Sequence, residues 1–117
     1  MPAGPLKKSA PEIDSCLNHA AHQTLVHGDA KVANFCFSDR DSHRVAAVDF
    51  QYVGRGCGMK DVAYFISSCL SDSEAAAQQD LLLDYYFQRL EEAIALRNLE
   101  IDFLALRSEW QELYAFA

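Results

Sequence analysis

His27-Gly28-Asp29-Ala30-Lys31-Val32-Ala33-Asn34 decides how the rest of the chain is read. The preceding Thr24-Leu25-Val26 is β-forming, and Gly28 turns the chain off that strand. A carboxylate (Asp29), an ammonium (Lys31) and an amide (Asn34) then follow within one short loop and can all reach one place. Asp49, 20 residues after Asp29, breaks an otherwise apolar run, Arg44-Val45-Ala46-Ala47-Val48-Asp49-Phe50. A carboxylate in an apolar strand is costly unless satisfied, and two carboxylates brought together repel. A divalent cation removes that repulsion. Mg²⁺ takes oxygen ligands and binds through one or two carboxylates plus phosphates, and Asn34 and Asp49 supply such oxygens. Asp29 is suited to accept the proton of a hydroxyl acceptor. Lys31 can place its charge near a transferring phosphoryl group. These are the parts that a phosphoryl transfer from ATP with Mg²⁺ needs, with Lys31, Asn34 and Asp49 on the nucleotide–metal side.

Outward from the loop, residues 34–37 and 44–50 flank the polar segment Ser38–Ser42 and predict a β-hairpin. Gln51 to Gly58 holds three glycines and reads as a loop. Met59 to Leu70 is helical, with Val62, Phe65, Ile66 and Cys69 at i, i+3, i+4, i+7. Ser71-Asp72-Ser73-Glu74 breaks and recaps the chain. A long helix follows from Glu74 to about Arg97, turning Leu83, Tyr86 or Phe87, Leu90 and Ile94 inward. Asp102 caps a last helix whose Phe103, Leu106, Trp110 and Leu113 share a face. Upstream, Glu12 to Gln23 is predicted helical, and residues 1–11, with all three prolines, form a loose leader. The expected class is α+β, mainly α: a catalytic loop at 27–34, a metal segment at 49–51 and a helical scaffold over 59–117, all within a domain spanning 12–117.

The chain has 117 residues and a formal net charge of −7. Its basic residues are scattered, which argues against nucleic acid and against an anionic membrane surface. With no signal peptide and no apolar span, a cytoplasmic location is expected. The four cysteines (16, 36, 57, 69) are widely spaced and read as free buried thiols. Cys16, His19 and His22 offer only three ligands, too few for structural zinc. Tyr85, Tyr86, Trp110 and Tyr114 read as packing residues.

The segments HGDAKVAN and VDFQ, in register with H-x-D-x-x-x-x-N and D-F, resemble the catalytic and metal-binding segments of the aminoglycoside phosphotransferase and choline kinase-like superfamily, relatives of the protein kinases. The nearest look is to the ecdysteroid-kinase-like and related bacterial phosphotransferases. The resemblance implies the C-terminal lobe of a protein-kinase-like fold, with Asp29 as catalytic base and Asn34 and Asp49 as Mg²⁺ ligands. It gives His27 a bracing role and makes Asp61 the anchor of the catalytic loop, although Asp61 is also explicable as a first-turn helix acid. Gln51 departs from the glycine of protein kinases. The substrates implied are ATP and a small hydroxylated acceptor. Nothing before His27 reads as the sheet, strand lysine and helix glutamate that grip the nucleotide. The chain is therefore expected to be a C-lobe that pairs with a missing N-lobe, or self-associates through apolar surface near residues 35–50. The rival readings are a non-catalytic remnant or pseudokinase acting as a binding module, and a helical interaction module without phosphate chemistry.

Overall fold

The computed structural model describes residues 17, 19–40 and 44–115. They form a mainly helical α+β arrangement with two small antiparallel sheets. Strand β1 (Thr24–Val26) pairs with β4 (Gly54–Gly56), and β2 (Phe35–Phe37) pairs with β3 (Val45–Ala47). A 3₁₀ turn at Val32–Asn34 leads into β2. Helices α1 (Met59–Cys69), α2 (Asp72–Leu96) and α3 (Phe103–Tyr114) follow. Among the described residues no helix is long and apolar enough to cross a membrane.

The hairpin lies where the alternation of apolar and turn residues put it, but β3 is shorter than expected. It ends at Ala47, because the chain goes left-handed at Asp49 (φ 63°). Asp49 is thus an exposed residue just beyond the strand, not its C-terminal member. The segment expected to be a loop, Gln51–Gly58, contains strand β4. Its glycines form poor strands in isolation, and the pairing is imposed by β1: Thr24 faces Gly56, and Val26 faces Gly54.

The helix expected over Glu12–Gln23 lies partly outside the described residues. Leu17 is helical, but His19–Gln23 is turn and bend. The cause is tertiary. The Glu109 carboxylate accepts the Ala21 and His22 N–H groups at 2.7 and 2.9 Å, and the Trp110 indole donates to the His22 carbonyl at 3.0 Å. Backbone groups bonded in this way are not free to make helical bonds.

Two of the three helices, α2 and α3, start on a capping side chain. Ser71 and Glu74 form a reciprocal capping box at the start of α2, two residues ahead of the apolar pattern. Asp102 accepts the Ala105 N–H at 3.1 Å and caps α3. Gly58 precedes α1 and has no capping side chain, because a Cβ there would lie 2.6 Å from the Tyr86 hydroxyl and 2.7 Å from the Trp110 ring.

The core gathers Leu17, Ala20, Cys57, Met59, Leu83, Phe87, Leu106 and Trp110. Each large apolar side chain buried here is worth about 2 kcal/mol in transfer terms. Arg107 of α3 bonds Asp84 of α2 at 2.6 Å and lies 4.9 Å over the Phe87 ring. Cys57 is buried, whereas Cys36 and Cys69 are exposed free thiols. Cys69 therefore leaves the inward face assigned to it. Residues 37–53 expose Phe37, Val45, Val48, Phe50, Tyr52 and Val53.

Candidate functional site

Gly28 makes the turn out of β1 with φ 87°, and a Cβ at this position would lie 2.3 Å from the Tyr52 carbonyl oxygen. Only glycine satisfies both conditions. The turn directs the backbone N–H groups of His27 and Gly28 at Asp61 in the first turn of α1. Its two carboxylate oxygens accept them, at 2.7 and 3.1 Å respectively. Asp61 is therefore more than a dipole-favoured helix acid. It suspends the loop from α1 by two charge-assisted hydrogen bonds.

His27 braces the loop from inside. Its Nδ1 accepts the Asp29 N–H at 3.1 Å, so the ring proton sits on Nε2, which lies 2.7 Å from the Val48 carbonyl and donates to it. The ring packs 4.9 Å from Phe50 and 6.0 Å from Phe35, and Phe35 meets Phe65 of α1 edge-on at 5.1 Å. One imidazole thus ties the loop to both neighbours of Asp49. The Val48 N–H also donates to the Asn34 carbonyl at 2.9 Å. Asp49 is held between two residues that are each tied to the 27–34 loop.

Asn34 is the one buried polar side chain among the described residues. Its Nδ2 donates to the Asp29 carbonyl at 2.8 Å and to Asp29 Oδ2 at 3.1 Å. With the amide nitrogen so engaged, its oxygen is the atom of the kind that a hard cation takes. Asp29 is half-buried and Lys31 is exposed. The Lys31 backbone closes the turn, donating to the Asp29 carbonyl and accepting from the Asn34 N–H.

The structure therefore joins His27, Asp29, Asn34 and Asp61 in one hydrogen-bonded set and tethers Asp49 beside it. No contact of the Lys31 side chain ties it into that set. Among the described residues no three His, Cys, Asp or Glu side chains converge as a metal cluster. A cation at Asn34 and Asp49 would thus take its remaining ligands from phosphates and water, the usual habit of Mg²⁺.

Sequence reasoning missed Ser68. Its hydroxyl accepts the Val32 N–H at 2.8 Å and donates to the Phe65 carbonyl at 2.7 Å, fixing the middle of the loop to α1. The signal was available: Ser68 stands seven residues after Asp61, two helical turns along the same face. The Val48 and Tyr52 carbonyls were also missed, because backbone atoms leave no mark in sequence.

Behind the loop, an apolar pocket of about 480 Å³ is lined by Ala30, by Phe35, Phe37 and Val45 of the hairpin, by Asp61, Val62, Phe65 and Ile66 of α1, and by Leu82, Tyr85 and Tyr86 of α2. Burial, with added repulsion from Cys57 and Asp61, pushes the Tyr86 hydroxyl up to about 12. Burial likewise pushes the Cys57 thiol up to about 11. Both stay protonated at neutral pH, so Asp61 is not crowded by a second charge from either. Arg55, on β4, is exposed.

A family model described as the ecdysteroid kinase-like family matches residues 8–100. The match spans the loop, the hairpin, α1 and α2, and stops short of α3. No curated protein and no solved structure matches the chain.

Proposed function

The chain belongs to the ecdysteroid kinase-like family, and from that premise we propose that it supplies the catalytic-base and metal-binding half of a small-molecule kinase. In this reading it forms the C-lobe of a protein-kinase-like fold, which transfers the γ-phosphoryl group of ATP to a hydroxyl. The observation that carries the reading is the hydrogen-bonded set of Asp29, Asn34, His27 and Asp61, with Val48 and Phe50 tied against it on either side of Asp49.

Each residue then has a task. Asp29 takes the proton of the acceptor hydroxyl. Asn34 holds Asp29 through Nδ2 and presents its amide oxygen to the metal, for which Asp49 supplies the carboxylate. Asp61, His27 and Ser68 keep the loop from relaxing, because positioning supplies much of the rate in such a transfer. Lys31 is exposed and free to approach the phosphates. Mg²⁺ would neutralise phosphate charge at this acidic surface. No strand among the described residues carries a lysine, so the residue gripping the nucleotide phosphates comes from outside them. The apolar pocket behind Ala30 favours an acceptor with a nonpolar body over a small cation.

The test is thermal unfolding with and without Mg²⁺ and ATP, for the wild type and for Asp49→Asn. At 100 times its Kd a ligand stabilises by about 2.7 kcal/mol. An upward shift in the wild type, absent in Asp49→Asn, is expected. No shift in either protein would instead favour a non-catalytic binding module that keeps the loop but not the nucleotide.

A further inference from the structure

Helix α3 lies beyond the segment that matches the family, yet it holds both chain segments that carry the loop. The antiparallel β1–β4 pair brings two strand ends to one edge: the chain entering β1 at His22 and the chain leaving β4 at Gly58. At the opposite end of β1 is the His27 turn. Three residues beyond Gly58 is Asp61, from which that turn hangs. The geometry of the loop therefore depends on the relative placement of His22 and Gly58.

Two adjacent residues of α3 set that placement. Glu109 takes the Ala21 and His22 N–H groups, and its Oε1 lies 3.0 Å from His22 Nδ1. Trp110, 1% exposed, donates its indole N–H to the His22 carbonyl. The same indole ring closes over Gly58, where a Cβ would meet it at 2.7 Å. One side chain thus touches both segments, and its neighbour locks the first of them by three contacts. Packing alone would need neither a carboxylate nor an indole N–H at this junction.

We propose that Glu109 and Trp110 are positioning residues, which act through His22 and Gly58 to hold the His27–Asn34 loop against Asp61. This rests on the reading of that loop as catalytic, but the mechanical claim can be tested apart from it.

The experiment is amide hydrogen exchange on the full chain, with Glu109→Gln, which keeps side-chain bulk, and Trp110→Phe, which removes the indole N–H together with the ring edge that closes over Gly58. The His27 and Gly28 amides, which donate to Asp61, are expected to exchange roughly tenfold faster in each variant, the factor that follows from loosening one hydrogen bond to a charged group. Amides of Leu83 and Phe87 in α2 should change only as far as global stability does. If His27 and Gly28 merely track the α2 amides, the residues are structural and the proposal falls. In parallel, binding of ATP with Mn²⁺ in place of Mg²⁺ is measured. A rise in Kd of about fivefold in the variants supports the proposal, and an unchanged Kd overturns it. If the wild type binds no Mn²⁺–ATP, the kinase reading fails while the exchange arm still decides whether α3 positions the loop.

Discussion

Gly28 and Asp49 both have left-handed backbone, and for opposite reasons. At Gly28 the conformation lets the chain pass against the Tyr52 carbonyl with no Cβ in the way. Gly28→Ala is expected to cost about 3 kcal/mol in urea unfolding, from the unfavourable φ and the displaced Tyr52. A variant as stable as the wild type would show that the turn has slack. At Asp49 a residue with a Cβ accepts that conformation, and aspartate tolerates it better than most. The reward is a carboxylate turned out of the hairpin instead of lying in its pleat. At this scale much of the site was legible. His27, Asp29, Asn34 and Asp61 are polar residues that interrupt apolar patterns, and the structure joins them. Lys31 carries the same kind of signal, but its exposed side chain is fixed by nothing that a sequence spacing reports. Ser68 was overlooked despite its spacing from Asp61, because a serine inside a helix usually means nothing and its partner is a backbone N–H 36 residues earlier.

Among the elements, β4 is the instructive one. Gly54-Arg55-Gly56 carries no strand propensity, and it becomes a strand because β1 offers a partner. Local sequence cannot announce such a strand. All three helices announced themselves through apolar period, and α2 and α3 through caps as well, so their positions were readable to within about two residues. The cap of α2 is testable. Ser71→Ala removes the acceptor of the Glu74 N–H and is expected to cost about 1 kcal/mol, seen as a lower urea midpoint with an unchanged slope. A null effect would mean that the first turn frays in the wild type as well. Glu74 returns the bond to the Ser71 N–H, and that bond, with the Ser71 hydroxyl, holds its carboxyl below the usual 4.5.

Over the whole molecule, the segment before β1, the β1–β4 pair and helices α1 and α3 meet around Trp110. This junction is why His19–Gln23 is turn and bend where the periodicity predicts helix. Glu109 is its charged member. Burial alone would raise its carboxyl, but the His22 and Ala21 N–H groups and the His22 ring outweigh that and hold it below 4.5. With its folded value depressed, Glu109 contributes stability that is fully present above about pH 4.5 and is lost as pH falls through the lower, folded value. Denaturation midpoints measured from pH 6 down to pH 3 should therefore decline more steeply in the wild type than in Glu109→Gln, and parallel curves would count against the carboxylate's role. The junction has one more consequence, an optical one. Trp110 is the chain's single tryptophan, so every photon of indole emission originates beside the His22 carbonyl and the Gly58 bend. Undocking of the segment that leads to the loop will redden that emission before the helices melt, and the colour of one fluorophore becomes a gauge of whether the loop is still hung in place.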